Sequence, residues 1–360
     1  MNKILTVGTM SLLIVAGLAA NAARADDDED RSERSAVRRF ATLPEGVRFP
    51  EGITANPWSG DIFVGTFDFG PNSNKLLRFD RHGKLEASRD FGGTPLLGLA
   101  FDRVSKKVYI ANFGASKIQR IAATFHGSTA VEDVAVIPGI GAPLPRTVGN
   151  PDGSSDSIIF GSNFFPAPNA LAFDDAGNLY VSDSFQGAVY RIVNPSACAP
   201  ACAVTTLVHD PLLATAGFPP FGANGIAFNP DGSALFIANT GDDRVLKLDL
   251  ASNAITVFAE SINGADGIAF DRRGRLWVAA NQNDEVVALN ANGRVVARLG
   301  GFDGVRRNGA PRGLLFPASV VIVNDDLYVT NLALPLTGAV GDEPEEDVTL
   351  YTVSRIELPK

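Results

Sequence analysis

Cysteine occurs twice and histidine three times in 360 residues, so little of the chain can build a thiolate or imidazole metal centre. The pair Cys198 and Cys202, in "NPSACAPACAV", has no histidine or further cysteine beside it and lacks the Cys-x-x-Cys spacing of a redox motif. In an exported chain it reads as a local disulfide. No Gly-x-Ser-x-Gly elbow accompanies a Ser/His/Asp set, and no glycine-rich loop enters a helix to cradle phosphate. Neither "PDGSSDS" nor the acids at 342–347 has the ordered spacing of an EF-hand loop, and both read as solvated. Positive charge is also short, with 31 Lys and Arg against 40 Asp and Glu and a net charge of −9. Nucleic acid and anionic membrane surfaces both need a basic footprint, which excludes them as partners. After the first residues no window sustains an apolar period of 3.6, which excludes a helical architecture and points to an all-β protein.

The N-terminus has the order of a secretory signal: Lys3, the apolar run "ILTVGTMSLLIVAGLAA", then Ala23-Arg24-Ala25 ahead of "DDDED". Residues 1–25 are expected to be a signal peptide, with a retained membrane anchor as the alternative reading. Residues 26–38 are expected to form an acidic solvated leader, and 39–360 a single domain in the periplasm or outside the cell.

What the chain does contain is one unit repeated. "NALAFDDAGNLYVSDSFQGAVYRI" from Asn169, "NGIAFNPDGSALFIANTGDDRVLKLDL" from Asn224, "DGIAFDRRGRLWVAANQNDEVVALN" from Asp266 and "LGLAFDRVSKKVYIANFGASKIQRI" from Leu97 align strand for strand. Each is a short apolar strand, a turn, a second strand, a polar loop and an alternating third strand, often followed by a fourth. Four antiparallel strands at a period of roughly 40–45 residues is the signature of propeller blades. A fifth unit starts at Glu51 and a sixth at Ala318, so the expected fold is a six-bladed β-propeller. The last unit has no fourth strand left, whereas "AVRRFATL" near residue 40 is a strand without a hairpin partner. It is expected to complete the last blade and close the ring.

The first strand of each blade lines the central channel, so Glu51, Leu97, Asn169, Asn224, Asp266 and Ala318 should form a ring at one end. Register assigns Glu51, not the nearby Glu45, to that ring. Two carboxylates and two amides, with no His or Cys, suit a hard divalent cation, Ca²⁺ above Mg²⁺ or Mn²⁺. Asn112, Asp183, Asn239, Asn281 and Asn331 end second strands and are expected at the mouth of the site, with Asp183 a candidate to bind substrate. The insertions at 138–167, 209–222 and 302–317, and the loop "LALPLTGAVGDEPEED", should gather at the same end. Their Phe, Pro and Leu would wall a polar floor, suiting a rather hydrophobic lactone or ester. His82 and His126 fall towards the opposite face, whereas His209 falls on the working side.

On "PEGI" at Glu51, "PNALAFDDAGNLYVSDS" at Asn169, "NGIAFNPDGSALFIANT" at Asn224 and "ADGIAFDRRGRLWVAAN" at Asp266, the chain resembles the SMP-30/gluconolactonase superfamily, which includes diisopropyl-fluorophosphatase-like enzymes. The resemblance implies that Glu51, Asn169, Asn224 and Asp266 hold a divalent metal, with Asn169 alternatively turned to substrate and Asp266 also the catalytic base or nucleophile. It implies a metal-dependent hydrolase of lactones or related esters. Sugar-lactone members commonly carry Arg two residues before the position of Asn169, where this chain has Ala167, and the paired histidines of paraoxonase-like relatives are missing. "GNLYVSDSFQGAVYRI" is also similar to NHL repeats, which leaves open a propeller that binds a protein or small-molecule partner without chemistry. A metal-free strictosidine-synthase-like propeller would need a catalytic acid for which the sequence offers no candidate.

Overall fold

The second strand of every unit carries a short apolar run, and Ile62–Thr66, Leu179–Asp183 and Leu276–Ala280 are buried along their whole length. A strand hidden on both faces needs neighbours on both sides, and stacking one sheet against the next around an axis supplies them. The outermost strands instead are largely exposed or half-buried, as in Ile255–Glu260 and Val295–Gly300. The computed structural model describes residues 37–160, 165–337, 341 and 343–360. Among these residues the chain forms six four-stranded antiparallel sheets and two small two-stranded ones.

The inner strands are Pro50–Ala55, Leu96–Asp102, Pro168–Phe173, Ala223–Phe228, Ala265–Phe270 and Pro317–Val323. Each expected ring position is the second residue of its strand. The strands pack side by side around the axis with little room between backbones. A Cβ added at Gly225 would lie 2.3 Å from the carbonyl oxygen of Asp266 on the next blade. Hydroxyls clip neighbouring blades together: Ser182 Oγ donates to the carbonyl of Asn224 at 2.6 Å, and Thr330 Oγ1 to that of Glu51 at 2.8 Å.

The ring closes as the sequence suggests. Val37–Thr42 pairs antiparallel with Thr352–Glu357, placing the N-terminal strand at the outer edge of the blade built from the last strands. It takes in Val37 and Arg38, the last two residues of the expected leader. This pairing joins the first and last of the described strands and closes the ring. The expected signal segment, and the leader up to residue 36, lie outside the described residues. Among the described residues no helix is long and apolar enough to cross a membrane.

Two insertions that read as plain loops contain short hairpins, Arg146–Gly149 with Ser155–Ile158 and Phe302–Val305 with Pro311–Gly313. Their residues are too polar or too rich in glycine to show the alternation that marks a strand. Cys198 and Cys202 are joined by a disulfide with a Cα separation of 4.9 Å. It closes the loop between the third and fourth strands of its blade. That loop docks on the preceding blade through Ser196, whose hydroxyl donates to Asp102 at 2.7 Å. Asp102 ends the inner strand that begins beside Leu97, so the disulfide sits at the end opposite the ring.

Candidate functional site

Five of the six ring positions, Glu51, Leu97, Asn169, Asn224 and Asp266, converge on one cavity of about 100 Å³, joined by Thr240 and Asn281. All are nearly fully buried. Ala318 is buried but does not line it. Glu45 sits exposed in the preceding turn, so register chose correctly between the two glutamates. Phe67 forms one wall, and the roof comes from three of the long loops through Phe218–Phe221, Phe316 and Leu332, Leu334 and Leu336. Among the described residues no Lys, Arg or His lines the cavity; His82, His126 and His209 are all exposed elsewhere.

The two amides are oriented from behind. Asn169 Nδ2 donates to Ser184 Oγ at 2.8 Å, and that hydroxyl donates to the carbonyl of Ala223 at 2.7 Å. Asn224 Nδ2 donates to Thr240 Oγ1 at 2.9 Å, which donates to the carbonyl of Ala265 at 2.7 Å. With their N–H groups engaged in this way, the amides have their acceptor ends to offer the site. The repeat of one amide, one hydroxyl and one carbonyl in two successive blades is a local consequence of the repeated sequence.

Asp266 is held differently. Asn281 Nδ2 donates to its Oδ2 at 3.1 Å. Asp266 Oδ1, Asn281 Oδ1 and Glu51 Oε2 are all buried with no hydrogen-bond partner. Burial pushes the Asp266 carboxyl up to about 7, against the neighbouring amides of Asn281 and Asn224, which draw it down. Burial, and then the charge of Asp266, push Glu51 well above the ordinary carboxylate range. Three unpaired acceptors and two carboxyls that resist ionising side by side describe a site short of positive charge. The donors present therefore fit a hard divalent cation, with Glu51, Asn169, Asn224 and Asp266 as its ligands and Asn281 as a further oxygen. Among the described residues no three His, Cys, Asp or Glu side chains cluster, because half of this donor set is amide.

Asn281 reaches Asp266 only because residue 264 is glycine. A Cβ there would meet Asn281 Oδ1 at 1.8 Å, and its φ of +65° lies in the left-handed region that favours glycine.

Asp183 takes a different place from the one expected. It does not line the cavity, and its side chain is fully buried at a loop. Its Oδ1 accepts from the backbone N–H of Phe185 and Gln186 at 3.1 and 2.9 Å, and its Oδ2 from Gln186 Nε2 at 2.8 Å. Gln186 in turn accepts from the backbone N–H of Ile140 and Gly141, so Asp183 anchors the insertion that begins at residue 138. Asn112 likewise accepts from the backbone N–H of Ala115 in its own loop, whereas Asn239 donates to the carbonyl of Ala214 and Asn331 accepts from the backbone N–H of Leu315, each tying down the insertion ahead of its blade. The residues that face the site lie one position later: Phe67, Thr240, Asn281 and Leu332. In the fifth blade "LWVAAN" puts Ala280 where four of the other blades have Asn or Asp, and this offset was the available signal.

Comparison with known proteins agrees with this architecture. The model of the SMP-30/Gluconolactonase/LRE-like region matches residues 203–300, which hold Asn224, Asp266 and Asn281. Among solved structures, a luciferin-regenerating enzyme is similar with a TM-score of 0.59 at 15% identity, over 89% of this chain and 94% of that one. A calcium-binding protein, regucalcin, from Agrobacterium tumefaciens is similar with a TM-score of 0.56 at 17% identity, over 89% and 96%. A gluconolactonase from Xanthomonas campestris gives 0.55 at 13% identity, over 90% and 89%. No curated protein matches the sequence. At these identities the structural likeness shows a shared fold, and the resemblance read from the sequence stands as one to the SMP-30/gluconolactonase group.

Proposed function

We propose that the protein is an exported, metal-dependent hydrolase of lactones or related esters. The observation that carries this reading is the trio of unpaired acceptors, Glu51 Oε2, Asp266 Oδ1 and Asn281 Oδ1, buried in one cavity without a cationic side chain. A cation of the Ca²⁺ kind, when bound there, would offset the two carboxylates and supply Lewis acidity to a carbonyl oxygen.

The chain's own residues do the rest. Ser184 and Thr240 fix the amides of Asn169 and Asn224, so the polar floor is built before substrate arrives. Asn169 is also the ring residue offered to substrate. Asn281 holds one oxygen of Asp266 and leaves Oδ1 free to take a proton from an attacking water, or to attack the acyl carbon itself. In the first route the proton taken by Oδ1 passes to the departing ring oxygen; in the second the ring opens onto Asp266 as an acyl anhydride that water must then hydrolyse, and each ends in a hydroxy acid. Phe67, Phe221 and Phe316 exclude bulk water from that step. The signal-like order of residues 1–25 supports a periplasmic or secreted location.

A panel of γ- and δ-lactones and phosphotriesters, assayed with and without chelator, tests the reading. Hydrolysis of at least one compound, stopped by chelator, restored by Ca²⁺ and missing in Asp266→Ala, is the expected result. Silence across the panel from a protein that still binds Ca²⁺ would favour a partner-binding propeller.

A further inference from the structure

Beside the cavity over Asp266 lies a second one, of about 470 Å³, lined by Phe69, Phe113, Phe165, Gly93, Thr94 and Pro95 together with the start of the next loop. Among the described residues no ionisable side chain lines it. The hydroxyl of Ser116 at its edge is already engaged, donating to the carbonyl of Pro166 at 2.6 Å.

The two cavities share an aromatic wall. Phe67 and Phe221 belong to the inner one, with ring centroids 6.2 Å apart. Phe67 meets Phe69 at 4.7 Å and Phe113 at 5.4 Å, edge to face, and Phe113 meets Phe165 at 5.4 Å. These contacts carry an unbroken apolar surface from the polar floor to the outer pocket. Phe69 and Phe165 flank that pocket while 67% and 44% exposed, apolar surface left in water that an apolar guest would cover.

Size separates the roles. An inner cavity of about 100 Å³ holds a reacting group and little more, so the remainder of any larger substrate must leave it. A polyhydroxylated ring entering the outer pocket would forfeit hydrogen bonds to water for walls that return none.

We infer that the outer pocket is a subsite for an unbranched alkyl or aryl substituent, so that the substrates are lactones or esters bearing an apolar tail rather than sugar lactones. The inference rests on the ring being the reacting centre, as proposed above, but binding at the subsite is measurable without turnover.

The probes are cyclopentanones bearing ethyl, butyl or hexyl chains, which copy the lactone ring and cannot be hydrolysed. They are titrated calorimetrically into Ca²⁺-loaded mature protein, beside turnover of γ-lactones of the same chain lengths. Affinity is expected to rise by about fourfold per added methylene until the pocket is full. Gly93→Leu is expected to flatten the series: a Cβ at Gly93 meets no atom within 4 Å, and its φ lies outside the left-handed region, so the larger side chain fills the pocket without disturbing the fold. Leu144→Ser, at an 81% exposed position outside both cavities, is expected to keep the parent slope. Affinity independent of chain length, no binding at all, or a parent slope in Gly93→Leu would overturn the subsite. A rising ketone series with no lactone turned over would uphold the subsite and sink the hydrolytic reading instead.

Discussion

Asn281 Nδ2 donates to Asp266 Oδ2 across 3.1 Å, and this single bond leaves Oδ1 of both residues buried and unpaired. It fixes which oxygen of Asp266 is free, and it adds an acceptor that a family-style ligand set of Glu51, Asn169, Asn224 and Asp266 does not include. Asn281→Ala is therefore expected to weaken cation binding by about 10–100-fold, the range for residues that orient a ligand. The thermal midpoint of the metal-free protein should hardly change. An unaltered affinity would reduce Asn281 to a packing residue.

The carboxyl pair gives the cation site a definite pH dependence. Asp266 is pushed up to about 7, and Glu51 is also raised, so near neutrality the metal-free pair retains protons that a cation must displace. Apparent affinity should fall as pH drops from 8 to 5, with proton release on binding detectable by calorimetry in buffers of different ionisation enthalpy. The same shifts act on stability. A carboxyl raised in the folded state binds its proton more tightly there than in the unfolded chain. The contribution is complete below the ordinary value of about 3.9 and is lost as pH rises towards 7. The melting temperature of the metal-free protein should decline across that window, and Asp266→Asn should remove part of the decline while leaving the part that burial of Glu51 contributes.

Close backbone approach between blades sets a third expectation. An alanine Cβ at Gly225 would lie 2.3 Å from Asp266 O and 2.8 Å from Gly267 Cα, both backbone atoms with little freedom to move. Gly225→Ala should cost about 1–3 kcal/mol of stability, read from denaturant unfolding. Because the displaced strand carries Asp266, cation affinity should fall with it. Loss of stability alone would mean that the ring tolerates a shift of its inner strands.

Removal of residues through Thr42 would strip the outer strand from Thr352–Glu357 and leave that strand as a bare edge. Such a truncation should lower the melting midpoint and promote self-association in light scattering. A monomer as stable as the parent would show that closure by the N-terminal strand is dispensable.

The blade pattern was legible because propellers repeat. All six positions read from the sequence, including the weakly marked Ala318, fall second in their inner strands, and the unpaired "AVRRFATL" correctly signalled closure. Repetition also explains what misled. Asp183, Asn239 and Asn331 occupy equivalent strand ends and look like a second polar ring, yet side chains at that position bond the surrounding loop backbone, Asp183 within its own loop and Asn239 and Asn331 on the insertions ahead of their blades, while Thr240 and Leu332, one residue later, reach the cavity. Direction at a strand end depends on the local bulge and loop, which composition does not encode. The aromatic wall was foreseen only as apolar content: Phe67 and Phe113 come from second-strand ends, Phe165 and Phe221 from insertions, and their meeting is a tertiary fact.

The most direct test of the account is calorimetric titration of Ca²⁺ into chelator-treated protein, beside Asp266→Ala. One site that saturates in the parent and disappears in the variant is the predicted result. A parent that takes up no divalent cation, or a variant that binds it as well as the parent, would contradict the assignment of Glu51, Asn169, Asn224 and Asp266 as a metal centre and the hydrolytic function built on it.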